Sequence, residues 1–292
     1  MYHIVRFFLY LISLLPIRIL YLISDGIYLL VFYVFKYRRA VTMANLLIAF
    51  PDKTEAERKR IAKRYYRNLI DTFVEIIKMM TASRRFLEKR FQGNWDLVNR
   101  HAGGGNRIQI HLGHNFNWEW GNVVAGYRFA STLLAVYMPP TSKVFARLMH
   151  SIRARGGTIM LDATKMAEEF APYRDRQYIL GLVADQNPGH PDNAWWVRFF
   201  GRPTPFVKGP ARAAVSNNLT TFFAFIHKPR RGHYEVVFTL AAEHAGQTSE
   251  TELTIQFVRY LEDVIRTYPD MWLWSHRRWK WVWSAERGSV IG

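Results

Sequence analysis

From residue 106 to residue 268, short apolar runs of strand length alternate with longer amphipathic stretches, and this alternation restricts the possible folds more than any other feature. Ile108, Ile110 and Leu112 mark a strand that ends at Gly113, and a helix is expected to begin a few residues later. Leu133 to Tyr137 reads as a strand, Lys143 to Arg153 as a helix, and Thr158 to Leu161 as a short strand. Lys165 to Arg174 follows as a helix, and Tyr178 to Ala184 as a buried strand ending at Asp185-Gln186. The Pro- and Gly-punctuated segment from Asn187 to Pro210 reads as a loop, and Ala211 to Ser216 as a helix. Thr220 to His227 and Tyr234 to Leu240 read as strands joined by a turn. A last helix from about Glu250 to Tyr268 opens at a capping-box pattern, Ser249 with Glu252. Strands that are apolar throughout need cover on both faces, so the pattern implies an α/β fold: a largely buried mixed sheet flanked by helices.

The first 35 residues obey a different rule. They are nearly all apolar, carry only Arg6, Arg18 and Asp25 as charges, and run into the basic cluster Lys36-Tyr37-Arg38-Arg39. A cleaved signal peptide fits poorly, because the apolar run is long and lacks a small-residue cleavage site. The stretch from Ile19 to Phe35 suits a tilted bilayer span, while Pro16 and Asp25 also suit a helix lying partly in the interface. Both readings stay open. The basic cluster favours a cytoplasmic position for the rest of the chain. The expected organisation is a membrane anchor over residues 1–40 and a globular domain over 41–292. That domain begins with a helix opened by Thr54 and Glu57, a capping-box pair, with apolar positions Ile61, Tyr65, Leu69, Phe73 and Ile76 at helical spacing.

The chemistry concentrates at the strand-to-helix junction from Asn106 to Gly126, which carries His114 and Glu119. A histidine and a carboxylate are the minimum parts of a general-base site, the carboxylate fixing the tautomer and stabilising the imidazolium. Positions five apart diverge on one helix, so the two can cooperate only if His114 sits in the turn and Glu119 in the first helical turn. Asn115 or Asn117 would then cap that helix. A competing use is His111, His114 and Glu119 as metal ligands, although no second cluster at ligand spacing supports it. The chain has no cysteine, no G-x-S-x-G and no Walker A motif, which excludes thiol chemistry, disulfides and two familiar catalytic loops. A net charge of +17 calls for an anionic partner, and ten tryptophans suit a membrane interface. A non-catalytic protein binding membranes or nucleic acid is the alternative class; against nucleic acid, the basic residues are dispersed rather than gathered into one footprint.

His114-Asn115-Phe116-Asn117-Trp118-Glu119 resembles the H-x4-D/E motif of the bacterial lysophospholipid acyltransferase superfamily. The whole chain resembles, more narrowly, the late acyltransferases of lipid A biosynthesis, to which the mycobacterial phosphatidylinositol mannoside acyltransferases are related. The apolar N-terminus, Asn45-Leu46 with Ala49-Phe50-Pro51, Asp185-Gln186, the run Phe199 to Phe206 and the run Trp272 to Trp279 occur in the matching order. Phe116 departs from the pattern, where relatives often carry glycine. The resemblance implies direct acyl transfer from acyl carrier protein or acyl-CoA to the 3-hydroxyl of an acyl chain on an anionic glycolipid, a lipid A precursor, at the bacterial inner membrane on its cytoplasmic side. His114, oriented by Glu119, would be the base, with neither cofactor nor metal. Arg155 would stabilise the developing charge, and Asp185 would position it or the substrate. Gln186 would line the site beside Asp185. Arg202 and Lys208 are read from the residues themselves: they belong to the interleaved aromatic and basic stretch Asn193 to Lys208, which suits an acyl chain beneath a phosphate headgroup.

Overall fold

The computed structural model describes residues 1–292. Four helices come first: α1 (Tyr2–Leu14), α2 (Ile17–Leu29), α3 (Arg39–Ala49) and α4 (Glu55–Met79). There follow α5 (Arg84–Arg90), β1 (Phe91–Gly93), α6 (Trp95–Gly103), β2 (Ile108–Leu112), α7 (Trp118–Arg128) and β3 (Leu133–Tyr137). Next come α8 (Lys143–Arg153), β4 (Ile159–Asp162), α9 (Met166–Phe170) and β5 (Ile179–Val183). The chain continues with β6 (Ala194–Phe199), β7 (Arg202–Val207), α10 (Gly209–Ser216), β8 (Thr220–Arg230), β9 (His233–Ala242), α11 (Glu250–Thr267) and β10 (Val290–Ile291).

Seven strands form one mixed sheet in the order β1-β9-β8-β2-β5-β3-β4. Every pairing is parallel except the β8–β9 hairpin. The sheet is covered on both sides, as the unbroken apolar strands require. On β2, His111 packs edge-on against Phe257 of α11, with ring centroids 5.7 Å apart. Ile110 and Leu112 point the other way, into a cavity that Gly121 and Ala125 of α7 also line.

The segment 187–210 is not the loop expected. It folds into the β6–β7 hairpin, and β10 adds to β6 in parallel to make a second, three-stranded sheet. Pro203 and Pro205 disguised it: β7 is an edge strand, where a missing N–H costs no ladder bond. The aromatic residues of this hairpin are core. Phe199 stacks on Trp279 at 5.5 Å, and the fully buried Arg278 lies over Phe206, donating to the Pro205 carbonyl at 2.8 Å and to Asn187 Oδ1 at 2.8 Å. The tryptophan-rich C-terminal motif is therefore irregular chain stapled to a hairpin, and burial pushes the Arg278 guanidinium down to about 9.

Helix α4 carries the complete Thr54–Glu57 capping box; at α11 only half forms, because the Glu252 carboxylate takes the Thr248 hydroxyl instead. The apolar stripe read on α4 is shifted in the fold: Phe73 is 53% exposed, while Asp71, Thr72 and Glu75 are buried. The cause is that α4 has neighbours on two sides, the main body on one and α1 and α2 on the other. The run Ile17–Val34 is long and apolar enough to cross a bilayer by length and composition, yet one face of it is fastened to α4. Ser24 donates to Asp71 at 2.7 Å and Tyr21 donates to Glu75 at 2.7 Å. Arg231, in the β8–β9 turn, bridges Asp71 and Asp25 with contacts of 2.7 and 2.8 Å. The other face of the run presents Ile19, Leu22, Ile23, Ile27 and Leu30 to the outside.

Arg231→Ala would leave Asp71 with the more distant Lys228 as its only cationic partner, at 3.5 Å. Losing charge-assisted bonds to a buried carboxylate should lower stability by about 2 kcal/mol, read as the shift in a denaturant midpoint in detergent. An unchanged midpoint would show that the bridge contributes nothing.

Candidate active site

Adjacent parallel strands bring the site together. Leu112 of β2 pairs with Val183 of β5, and the Ala184 N–H donates to the Leu112 carbonyl at 2.9 Å, so the register carries on past the strand ends. Two residues beyond each strand lie His114 and Asp185. His114 Nδ1 and Asp185 Oδ1 are 2.5 Å apart, and the His114 backbone N–H donates to Asp185 Oδ2 at 2.8 Å. Gly113 makes room for this: a Cβ there would lie 3.1 Å from Asp185 Oδ2 and 2.9 Å from a Leu261 methyl. The indole N–H of Trp272 donates to the same Oδ2 at 2.6 Å. Burial alone would raise the Asp185 carboxyl, but the His114 imidazole, the His114 N–H and the Trp272 indole outweigh it and hold the group down to about 2. It is a carboxylate at neutral pH. With Nδ1–H directed at this anion, Nε2 carries the lone pair, which accepts from the Gln186 amide at 3.1 Å.

Glu119 does not touch His114 through its carboxylate. It sits in the first turn of α7, behind an N-cap that turns out to be Asn117, whose side chain accepts from the Trp120 N–H at 3.1 Å. Its carboxylate faces Arg153 instead: Nε donates to Oε2 at 2.8 Å and Nη2 to Oε1 at 2.5 Å, while the Trp118 indole donates at 3.1 Å. This two-pronged pair keeps the Arg153 guanidinium protonated despite its burial. Backbone-to-backbone packing fixes the approach. A Cβ on Gly126 of α7 would come 2.4 Å from the Gly156 carbonyl oxygen, and one on Gly156 would come 2.4 Å from that of Val123. Only a glycine pair lets the end of α8, with Arg153, lie so close to α7.

Of the remaining residues singled out from sequence, Gln186 lines the same cavity as His114, Glu119 and Arg153. Arg155 does not: it is exposed and donates to the Ala82 carbonyl at 2.9 Å. Arg202 is exposed at the β6–β7 turn, and Lys208 sits over the Trp195 ring at 4.5 Å; neither lines the cavity. His111 is buried on the opposite face of the sheet and burial pushes it down to about 3, so it does not converge with His114 and Glu119.

The cavity has a volume of about 560 Å³ and lies between the sheet and α7. Its polar lining includes His114, Glu119, Asn122, Arg153 and Gln186, and most of the rest is apolar, with Phe91, Trp95, Phe129 and Phe238 among it. Such a recess admits a long apolar group and keeps its polar end at the histidine.

Behind the site lies a second carboxylate that sequence reasoning missed. Glu75 is fully buried and accepts from Tyr21 OH at 2.7 Å, Tyr234 OH at 2.7 Å and Asn117 Nδ2 at 2.8 Å. Burial nevertheless raises its pKa, because it outweighs these bonds and Asp71 stands nearby. Through Asn117 this group holds the N-cap of α7. The polar residues Asn68, Asp71, Thr72 and Glu75, at i, i+3, i+4 and i+7 on one helix face, were the available signal.

A family profile described as bacterial lipid A biosynthesis acyltransferase matches residues 1–281 of the chain. Comparison with curated proteins gave no match.

Glu75→Ala would strand three donors, of which Asn117 and Tyr234 are buried. Stability should fall by about 3 kcal/mol in chemical denaturation, and hydrogen exchange at the capped Trp120 N–H should speed up as the first turn of α7 loosens. Unaltered exchange there would disconnect Glu75 from the cap.

Proposed function

Because the chain belongs to the bacterial lipid A biosynthesis acyltransferases, we propose that it moves a fatty acyl chain from a thioester, on acyl carrier protein or coenzyme A, to a hydroxyl of a lipid A precursor. The observation that carries this reading is the His114–Asp185 pair with His114 lining a mostly apolar cavity. The acyl chain occupies the cavity and presents its thioester carbonyl to His114. His114 Nε2 removes the proton of the acceptor hydroxyl as its oxygen attacks that carbonyl. Asp185 stays ionised throughout, fixes the tautomer and stabilises the imidazolium. The Gln186 amide, which occupies the Nε2 lone pair in the free chain, releases it to the incoming hydroxyl and then donates to the developing oxyanion. Collapse of the tetrahedral intermediate breaks the C–S bond, and the imidazolium returns its proton to the leaving thiolate. No covalent enzyme intermediate is required.

Glu119 has a different part from the one expected. It positions Arg153 in the cavity lining, where the guanidinium faces the polar ends of both substrates. Residues 1–40 act as the anchor to the inner membrane and residues 41–292 as the catalytic domain on its cytoplasmic side. This is supported by the exposed apolar side chains of α1 and α2 and by Lys36, Arg38 and Arg39 directly after them.

His114→Ala and Asp185→Asn should each reduce acyl transfer on the order of 10³-fold with the fold intact, while Arg155→Ala stays near the parent rate. The assay is mass spectrometry of a lipid A precursor incubated with acyl carrier protein charged with a fatty acid. Full activity of the His114 variant would sink the mechanism.

Gly181, mid-strand in β5, lines the cavity, and a Cβ there would meet nothing closer than the Leu134 carbonyl oxygen at 3.8 Å. Gly181→Leu should therefore fold and shorten the preferred acyl chain. Each methylene denied a place costs about 0.8 kcal/mol, roughly fourfold in relative rate. An unchanged chain-length profile would place the acyl chain elsewhere.

A further inference from the structure

A second recess, of about 640 Å³, opens on the other side of the site. It lies between the end of the N-terminal apolar run, α4 and the C-terminal segment, and its walls include Val31, Phe35, Phe73, Leu273, Arg38 and His276. Two of its residues, Trp118 and Gln186, also line the cavity between the sheet and α7. Both touch the histidine: the Trp118 ring stands edge-on to His114 with centroids 5.3 Å apart, and the Gln186 amide reaches Nε2. Two recesses thus meet at one imidazole, separated by two side chains.

The two differ in where they lead. The rim of the second is apolar and turned outward, with Phe35 72% and Phe73 53% exposed. It continues directly into the bare face of the N-terminal helices, where Leu30, Tyr33 and Val34 are also exposed. Its polar end holds Arg38, whose guanidinium is exposed and donates to the Ser275 carbonyl at 3.1 Å, between Lys36 and Arg39 in the sequence. His276 is pushed down to about 4, first by burial and then by Arg278, and its Nδ1 is buried without a hydrogen-bond partner. The recess therefore offers an apolar wall continuous with the membrane-facing surface, a cation at the level where an apolar helix gives way to basic residues, and an unused polar atom.

Resting on the acyl-transfer reading, the geometry points to this second recess as the binding site of the acyl acceptor, an anionic lipid that moves in sideways from the bilayer. Its acyl chains lie along Val31, Phe35 and Phe73, its phosphate meets Arg38, and its hydroxyl reaches His114 past Trp118 and Gln186. A carrier-bound donor matches this recess less well, because its bulk is a water-soluble protein and its chain has the cavity between the sheet and α7. The two substrates thus reach His114 through different recesses, which brings hydroxyl and thioester together at its Nε2.

The test is steady-state kinetics in mixed micelles with the lipid A precursor and charged acyl carrier protein varied separately. Arg38→Glu and Phe73→Glu, both at exposed positions, should raise KM for the lipid at least tenfold while KM for the carrier protein and kcat hold within twofold. Leu22→Glu, 67% exposed on α2 and outside the recess, controls for general loss of micelle contact and should leave KM for the lipid within twofold. Equal effects of all three variants, or a rise in KM for the carrier protein, would overturn the assignment. Equilibrium binding of the lipid A precursor to His114→Ala protein separates this site from the reaction. If the parent chain transferred no acyl group yet Arg38→Glu weakened binding tenfold, the reaction would be wrong and the recess right. Undiminished binding would refute the recess whatever the activity.

Discussion

The interaction on which the rest of the structure depends is the parallel pairing of β2 with β5. It aligns two chain segments 71 residues apart so that both leave the sheet at the same end and in step. A histidine and an aspartate two residues past those strands then meet without any long side-chain reach. Short bonds from the His114 N–H and the Trp272 indole fill the remaining sites on the carboxylate, so a buried charge is tolerated where a lone one would not be. The C-terminal segment is drawn into the same arrangement: Trp272 and Trp274 are buried, and Arg278 fixes the segment to the β6–β7 hairpin. Open α/β sheets place their ligand crevices at the carboxyl ends of such strands, and this chain follows that rule.

Much of this was legible in the chain because hydrophobic alternation is a local signal. β2, β3, β5, the strand-turn-helix setting of His114 and the buried mixed sheet all come from runs of a few residues. The partner of His114 was not legible in the same way. Glu119 is near it in sequence, whereas Asp185 is near it only after β2 has chosen β5 as its neighbour, and strand order is a long-range property. Arg153 and Arg155 show the same limit on a smaller scale. Two residues apart at a helix end, they point in different directions, and which one meets the site depends on the Gly126–Gly156 contact. The β6–β7 hairpin was hidden because prolines signal loops unless the strand is known to be an edge. On α4, Phe73 and Glu75 exchanged the environments that their chemistry suggests, since the helix is packed on two sides and its outer neighbour is itself apolar.

That outer neighbour changes how the N-terminus should be regarded. Its bare face is what a bilayer would accept, but its other face is specific: Tyr21, Ser24 and Asp25 each have a named partner in the folded body. The apolar run is both an outward apolar surface and a wall of the molecule, and the second recess exists only because its end is held against α4 and the C-terminal segment.

Glu75 gives this arrangement a temporal side. Its three donors come from residues 21, 117 and 234, and Asp25 finds Arg231 across 206 residues of chain. A chain made from its N-terminus brings out the apolar helix first, then Asp71 and Glu75 of α4 for Ser24 and Tyr21, and Arg231 for Asp25 much later. Until the β8–β9 hairpin emerges, Asp25 has no cationic partner and must remain in contact with water. A segment committed early to the hydrocarbon interior could not meet that condition. The order of synthesis therefore favours a nascent helix that keeps its Asp25 face in water and is claimed fully by the body of the protein only when the sheet closes.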